Sequence, residues 1–539
     1  MKKQRLLSLL LAIATVIAMI PSLVVVVAAE RTQTDVVLTD ANKDSSGKYY
    51  VIPANADTVK IGDVTYKVID SVDALIAIAS AATGNYILAD NLDFSANPTA
   101  FVQIKLGTSS IFDGNGFAIY GYQLSKSLTG TFYSSTSSTP VTIRNLRLGT
   151  ADKHLTIGNA ATPSNFTFGV VAFKNRGPIN FDNVHVYADI YSNHDAQIGA
   201  LLADAASGGS ATNCSFTGII NSVRGTNIGG LFANVNSKSF EIENCTVDAT
   251  LSFSSSGSYG HGGLVGKSSV QLDMTNCVFK GSLTADGGYI GGMVGWQANG
   301  TLNLDKCLNA GDMTGATGDA GLVGTIADGK TCTIQNCANI GATQNNFVHS
   351  GTATTTDCIS FTGAAGDPEI KTAIKQIRAM FPTMVFAAND DGTAIVVVDS
   401  DVVDTDAVAE AKFLQYKKTN TDTKMDIRVI GLLDKADLTG YANAGFILNL
   451  KQGNTSKYTD TVVTNTVYTS IKALDQNHEI TTYTNTDLDA KYLYAVELYN
   501  IPTEGTFTIE VQAFVTGNGT TADSYDNLVV ITVVDGVIQ

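Results

Sequence analysis

Between residues 168 and 358, apolar and polar residues alternate in short runs separated by Gly, Asn, Ser and Asp. Residues 240–242, 272–274 and 302–304 are examples, each with a polar residue between two apolar ones. A period of two predicts strands that bury one face. Helical repeats would need ten or more residues of helix-forming sequence in each unit, and these runs contain none.

Two phrases recur about every thirty residues within this stretch. The first joins one or two glycines to apolar residues, and its glycines include Gly199, Gly229, Gly263, Gly266, Gly292, Gly295, Gly321 and Gly324. The second follows about fifteen residues later and joins a polar residue to a small apolar one. Its members are Asn183-Val184, Asn213-Cys214, Asn244-Cys245, Asn276-Cys277, Lys306-Cys307 and Asn336-Cys337.

Repetition at this period predicts a solenoid, and strands within each repeat predict a parallel β-helix with rungs about 4.8 Å apart. One position of successive coils then forms a ladder that points into the core. We expect such a ladder of free thiols from Cys214, Cys245, Cys277, Cys307 and Cys337, continued by Cys358. Disulfides between ladder neighbours remain an alternative. The glycines are expected where coils turn tightly or where neighbouring backbones leave no room for a side chain.

The phrase Gly-Leu-X-Gly matches the GLUG motif fully at residues 263–266 and 321–324, and with Met293 for Leu at residues 292–295. The sequence therefore resembles the GLUG-motif, right-handed parallel β-helix proteins of bacterial secreted or cell-surface type. Such helices also occur as non-catalytic parts of bacterial IgA-cleaving metalloproteases. In the three earlier repeats an alanine replaces the last glycine. The resemblance covers residues 71–362 and implies an architecture, since the motif carries structure.

The chain order predicts five segments and an all-β fold. Residues 1–29 form a signal peptide with basic residues before an apolar run, and residues 30–70 a strand-rich lead-in. Residues 71–362 form the β-helix with an N-terminal helical cap, for which Ser71 is the N-cap. Residues 363–390 form a helical linker or cap. Residues 391–539 contain seven alternating runs and predict an antiparallel, Ig-like β-sandwich.

The charge of the chain bears on its partners and location. There are 34 basic and 50 acidic residues, a net charge of −16, and removal of the signal peptide lowers this to about −19. Nucleic acid is excluded as a partner because its binding needs a basic surface. No membrane span is expected after signal cleavage. The chain is predicted to be secreted, or retained at the cell surface without a covalent link.

Few residues have the spacing that catalysis or metal binding requires. A zinc-protease helix needs two histidines four residues apart, and His478-Glu479 lacks the second. The other histidines are single, and the acids near turns share no repeat position. The sequence therefore predicts no catalytic residue, no cofactor and no metal. Trp296 is the one tentative ligand platform, with packing against a neighbouring turn as its alternative.

The predicted function is a non-catalytic exported scaffold for binding or adhesion, with a carbohydrate or a cell-surface ligand. The alternative is a β-helix polysaccharide lyase or glycoside hydrolase with an atypical acidic site. That alternative requires two carboxylates about 5 to 10 Å apart in one groove. The ligand and the oligomeric state are left open by the sequence.

Overall fold

The computed structural model describes residues 36–44, 47–54, 56–79, 84–125, 129–134, 138–254, 257–315, 318–361, 367–381, 384–389, 394–398, 409–418, 423–434, 441–452, 455–465, 491–517, 524–535 and 537–538. The predicted signal peptide, the strand-like run 466–473 and His478-Glu479 lie outside these residues. Within them the chain is all-β apart from short helical segments. The predicted parallel β-helix with antiparallel sheets after it is confirmed.

Three sheets form the solenoid. The long sheet contains the strands Val36–Leu38, Thr58–Ile61, Val64–Ile69, Asn85–Leu88, Leu92–Asp93, Ile111–Asp113, Ala118–Tyr120, Val141–Leu148, Leu155–Ile157, Ile179–Ser192, Gly209–Thr212, Ser215–Ser222, Phe240–Glu243, Thr246–Phe253, Leu272–Thr275, Val278–Ala285, Thr301–Asp305, Leu308–Asn309, Asp312–Gly315, Thr331–Gln335, Ala338–Asn339, Thr354–Thr356 and Ile359–Ser360. A nine-stranded sheet contains Ile104–Leu106, Phe132–Ser134, Ala172–Lys174, Leu202–Ala205, Phe232–Val235, Val265–Ser268, Val294–Gln297, Val323–Ile326 and Val348–Ser350. A six-stranded sheet contains Phe168–Gly169, Ala196–Gly199, Gly225–Gly229, Gly260–Gly262, Tyr289–Gly291 and Asp319–Ala320.

The N-terminal lead-in is continuous with the solenoid. Strand Val64–Ile69 pairs antiparallel with Thr58–Ile61 and parallel with Asn85–Leu88, so the lead-in starts the long sheet. Helix Val72–Ile78 follows, and the Ser71 hydroxyl accepts a hydrogen bond from the Ala74 backbone N–H at 3.3 Å. This contact satisfies one of the free donors of the first helical turn, as the N-cap prediction requires. Two short 3₁₀ turns, Asp40–Asn42 and Pro98–Ala100, complete this end.

The second recurring phrase forms a bend in the long sheet, which we call the asparagine bend. Its residues have left-handed backbone angles, with φ between +51° and +57°: Asn145, Asn183, Asn213, Asn244, Asn276, Lys306, Asn336 and Asp357. Asn and Asp adopt this conformation more readily than other residues with a Cβ. Their side chains also join adjacent rungs, since the Asn183 amide donates to Asn145 at 3.0 Å and the Asn276 amide donates to Asn244 at 3.1 Å.

The first recurring phrase forms a corner where the six-stranded and nine-stranded sheets meet, which we call the glycine corner. None of its eight predicted glycines has a positive φ. A Cβ at Gly292 would instead collide with the carbonyl oxygen of Gly321 and approach the Asn309 side chain to 2.7 Å. A Cβ at Gly266 would lie 2.6 Å from the Ala233 carbonyl oxygen. The glycines of this corner are therefore required for space and not for backbone conformation.

The cysteines that follow the bend point into the core. Cys214, Cys245, Cys277, Cys307 and Cys337 are at most 1% exposed, and all seven cysteines of the chain are free thiols. Sulfur atoms bridge the rungs, since the Cys214 backbone N–H donates to Cys245 Sγ at 3.4 Å. Burial raises the pKa of the Cys307 thiol well above its ordinary value, which keeps it protonated. Cys358 ends this ladder half-buried.

Helix Asp367–Met380, which we call the lateral helix, lies against the side of the solenoid. Its Ile370 and Ile377 are 1% and 0% exposed. They share a hydrophobic cluster with Val278, Leu308 and Ala338, which face outward from the last coils of the long sheet. The helix therefore covers part of an outer face.

The C-terminal region consists of antiparallel sheets. A hairpin joins Val385–Ala388 and Ile395–Val398. One further sheet contains Ala409–Lys418, Lys424–Asp434 and Lys491–Pro502, and another contains Tyr441–Gln452, Thr455–Asn465, Thr506–Gly517, Ser524–Val534 and Val537–Ile538. Residues of both, such as Val429 and Ile509, share one buried core. This is a sandwich-like packing of two sheets.

Candidate ligand-binding groove

The outward-facing positions that follow the asparagine bend form a column on the long sheet, which we call the bend face. From rung to rung the column is Arg147, His185, Ser215, Thr246, Val278, Leu308 and Ala338. Its first four residues are polar and its last three are buried under the lateral helix. The column therefore runs uncovered along the first coils and ends against a wall.

A hollow of about 290 Å³ marks the N-terminal end of the uncovered stretch. Tyr49, Arg147, His185 and Tyr187 are among the residues that line it. The Tyr49 hydroxyl reaches across from the lead-in and accepts a hydrogen bond from the Asn183 amide at 3.2 Å. Two phenol rings and a guanidinium group thus surround a small cavity with several hydrogen-bonding atoms.

His185 is held between two partners in this hollow. One ring nitrogen, Nε2, lies 2.9 Å from Asn183 Oδ1, and the other, Nδ1, lies 2.8 Å from Ser215 Oγ. Because an amide oxygen only accepts, Nε2 carries the proton and Nδ1 accepts from the serine hydroxyl. Burial, and then the positive charge of Arg147, lowers the pKa of His185, so the ring is neutral at pH 7.

A larger hollow of about 540 Å³ lies at the other end, where the lateral helix and the C-terminal sheets meet the bend face. Its apolar lining comes from the end of the lateral helix and the residues after it, Met380, Phe381 and Met384. Its charged lining is Lys280, Lys306, Lys451 and Glu510. Lys451 Nζ lies 2.7 Å from Glu510 Oε1.

The tentative platform Trp296 lies elsewhere, on the outer side of the nine-stranded sheet. The Lys267 ammonium group of the preceding rung is 4.3 Å from the centre of its ring, and the Tyr289 ring is 5.4 Å away. One face of the indole is therefore occupied by a cation–π contact. Trp296 lines neither hollow.

The acids that the sequence placed near turns have separate structural roles. Asp204 pairs with Lys174 at 2.7 Å, and Asp286 accepts from the Ser254 hydroxyl at 2.8 Å. Asp319 is buried and accepts backbone N–H bonds from Gly315 and Gln344. Among the residues that the structure describes, no three His, Cys, Asp or Glu side chains are grouped as metal ligands.

Sequence reasoning alone does not identify two residues of the groove. His185 has no second histidine at ligand spacing, although its position two residues after Asn183 places it on the outer face of the bend. Lys306 differs from the other members of the second phrase only in its residue type. The available signal was periodic: the bend positions are otherwise Asn or Asp, and the outward column changes from polar to apolar at Val278.

Comparison with known proteins adds two solved structures. One is described as a "putative immunoglobulin A1 protease" from Bacteroides ovatus; the two chains share 16% identity with a TM-score of 0.36 over 62% of this chain and 92% of that one. The other is described as an IgA1 protease, with 14% identity and a TM-score of 0.36 over 76% of this chain and 36% of that one. No family model and no curated protein matches the sequence.

These comparisons correct one prediction. The sequence predicts a protein that is not an enzyme, and this prediction is contradicted, because the solved structures that resemble the chain carry the names of proteases. At this identity the likeness does not extend to any residue of an active site. A separate finding concerns membranes: among the described residues, no helix is long and apolar enough to span one.

Proposed function

We propose that the protein is exported and binds an extended carbohydrate along the bend face. The observation that carries this proposal is the uncovered polar column between two hollows. The uncovered column from Arg147 to Thr246 spans three rung steps of about 4.8 Å. The bend positions continue beside the lateral helix to Lys306, five steps or roughly 24 Å from Asn145. That length suits several sugar units, and the wall formed by the lateral helix sets one end of the groove.

The spacing of the rungs favours a carbohydrate over a peptide. An extended peptide advances only about 3.3 Å per residue, so it would lose register with the rungs within a few residues. The repeat of an extended glycan is closer to the rung spacing. Tyr49 and Tyr187 offer ring faces, while Arg147 and the bend amides offer hydrogen bonds, which is the combination that sugar rings and hydroxyl groups require.

A glycan array with the exported chain, followed by titration of the best ligand, tests this proposal. Replacing Tyr187 by Ala should weaken binding about tenfold, because an aromatic contact is lost from the groove. Tyr259→Ala removes an exposed ring near the glycine corner and serves as the matched control. Equal affinities for the two variants and the wild type would place the ligand elsewhere, and no binding to any glycan would overturn the proposal.

A second candidate function is ester hydrolysis in the N-terminal hollow. The contacts of His185 with Ser215 and Asn183 support it, because a hydroxyl, a neutral imidazole and an orienting amide oxygen are in hydrogen-bond contact. Ser215 Oγ would attack the ester carbonyl while His185 takes the hydroxyl proton. His185 would then give that proton to the leaving alcohol, and water would cleave the acyl-serine. Arg147 is two rungs from Ser215, and its guanidinium donates to the Gly116 carbonyl oxygen at 2.6 Å, so it is not assigned to the oxyanion.

Labelling with a fluorophosphonate probe tests this second function. We expect modification of Ser215 in the wild type and none in Ser215→Ala, with strong loss in His185→Phe. Thr246→Ala, one rung further along the same column, is the control that should still be labelled. Absence of labelling in the wild type would reject the hydrolytic function and leave the binding function standing.

A further inference from the structure

We propose that the C-terminal hollow binds an anionic group, a uronate carboxylate or a sulfate ester, carried by a hydroxyl-bearing glycan in the groove. This inference rests on the proposed carbohydrate binding and specifies its ligand class. It concerns the larger hollow, where the bend face meets the lateral helix.

Lys280 and Lys306 line this hollow and form no ion pair with any carboxylate of the described residues. Asp248 is in register with Lys280 on the neighbouring strand but does not pair with it. The chain as a whole has a net charge of −16. Two unpaired ammonium groups in one hollow of an acidic protein form a local site for an anion.

Lys306 occupies the one bend position between Asn145 and Asp357 that is neither Asn nor Asp, with φ of +51°. A left-handed backbone is less favourable for a lysine than for an asparagine. An unfavourable backbone state kept at a cavity indicates a functional reason for the side chain. Here the side chain is exposed and lines the hollow, so the gain is a positive charge at the surface where a ligand would lie.

Glu510 provides an independent sign of a ligand. It is 6% exposed, its Oε1 accepts from Lys451, and its Oε2 is buried with no hydrogen-bond partner among the described residues. A buried carboxylate oxygen without a donor is unfavourable. Because Glu510 lines the hollow, a shift of its side chain would expose this oxygen to a sugar hydroxyl while Lys280 and Lys306 bind the anionic group of the same chain.

The apolar wall strengthens these interactions. Phe381 is buried, and Met380 and Met384 are half-buried beside it. They exclude water from one side of the hollow and lower its effective dielectric constant, which strengthens each charge interaction inside. A neutral ligand would gain only hydrogen bonds from the two lysines, without the charge attraction.

The test compares three probes against the full exported chain: polygalacturonate oligosaccharides, dextran sulfate and neutral dextran. We expect one of the two anionic probes to bind at least tenfold tighter than neutral dextran, with affinity falling as salt rises. Lys306→Asn and Lys280→Gln should each weaken that binding about tenfold. Lys238→Gln removes the same charge from an exposed turn outside the groove and should leave binding unchanged.

The two anionic probes separate the sources of the anion. Preference for polygalacturonate identifies a carboxylate, and preference for dextran sulfate identifies a sulfate ester. Glu510→Gln should weaken the binding of the preferred probe. The circular dichroism spectrum of this variant should match that of the wild type. If neutral dextran binds tightly and the lysine variants do not change its affinity, this inference is overturned, while the proposed carbohydrate binding along the bend face stands. Failure of all glycans, on these probes and on the array, would overturn the groove as well.

Discussion

The glycine corner and the asparagine bend both recur once per coil, but the corner is limited by space and the bend by backbone conformation. At the corner two backbones approach so closely that a Cβ at Gly292 would collide with a carbonyl group. At the bend the backbone is left-handed, and a short amide side chain stabilises it while standing outward. The corner therefore accepts mainly Gly or, in the earlier coils, Ala, whereas the bend can exchange an amide for a lysine and gain a surface group.

The two histidines beside these features show the same contrast. His261 lies fully buried in the corner strand Gly260–Gly262, and neither of its ring nitrogens has a hydrogen-bond partner in the part of the chain that the structure describes. His185 stands next to the bend with both ring nitrogens bonded. The buried imidazole of His261 therefore costs stability, whereas that of His185 is hydrogen-bonded and faces the groove.

The largest expected loss of stability comes from a side chain placed where the corner has no room for one. Gly292→Val should lower the free energy of unfolding by at least about 3 kcal/mol, because the new side chain meets the adjacent backbone and the Asn309 side chain. Gly329→Ala is the matched control: its Cβ meets nothing within 4 Å, and its φ of +70° should cost about 1 kcal/mol. Urea unfolding measures both. Equal losses in the two variants would contradict the steric explanation.

The second expected effect is a loss of stability at low pH, caused by the buried His261 at the corner. Burial lowers the pKa of His261 from 6.5 to about 4, so the unfolded chain binds the proton more readily than the folded one. The free energy of unfolding should therefore be highest above about pH 6.5. It should fall by about 3 kcal/mol as the pH drops towards 4.

His261→Ile tests this by matching the residues in register with it, Ile228 and Ile290. The variant should lose most of the stability difference between pH 7 and pH 4.5 in thermal unfolding. His185→Phe is the comparison at the bend. If His261→Ile keeps the full wild-type pH dependence, the histidine at the corner is not its source.

A smaller effect is expected for the bend itself. Asn276→Ala should cost about 1–2 kcal/mol, because alanine is disfavoured in the left-handed conformation and the hydrogen bond to Asn244 is lost. Asn276→Gly removes the same hydrogen bond but adopts this φ freely, so it should cost less. If the glycine variant is as unstable as the alanine variant, the lost hydrogen bond and not the backbone conformation explains the loss of stability.

The smallest effect has the opposite sign. Lys306→Asn should raise the free energy of unfolding by about 1 kcal/mol, because asparagine tolerates the left-handed backbone better. Chemical unfolding measures the gain. If the wild type is as stable as Lys306→Asn, the lysine has no cost in stability at this position.

Much of the solenoid followed from sequence periodicity. The strands, the buried positions of the cysteines after the bend and the N-cap at Ser71 all depend on local patterns that recur in every coil. In the C-terminal region the pattern predicted six of the described strands to within a few residues. It missed Ala409–Lys418 and Thr455–Asn465, where polar residues such as Lys412 and Lys417 obscure the alternation.

The sequence by itself determined that this chain forms stacked β-coils, because a thirty-residue repeat of alternating strands can bury its apolar faces only by stacking. Only the tertiary structure decided where a ligand could bind. The sequence predicted a helical linker or cap at residues 363–390, but nothing local specified that the helix would cover Val278 and Leu308 on the outer face. Likewise, Lys306 and Glu510 are about two hundred residues apart, and they share a hollow only because the C-terminal sheets fold back beside the solenoid.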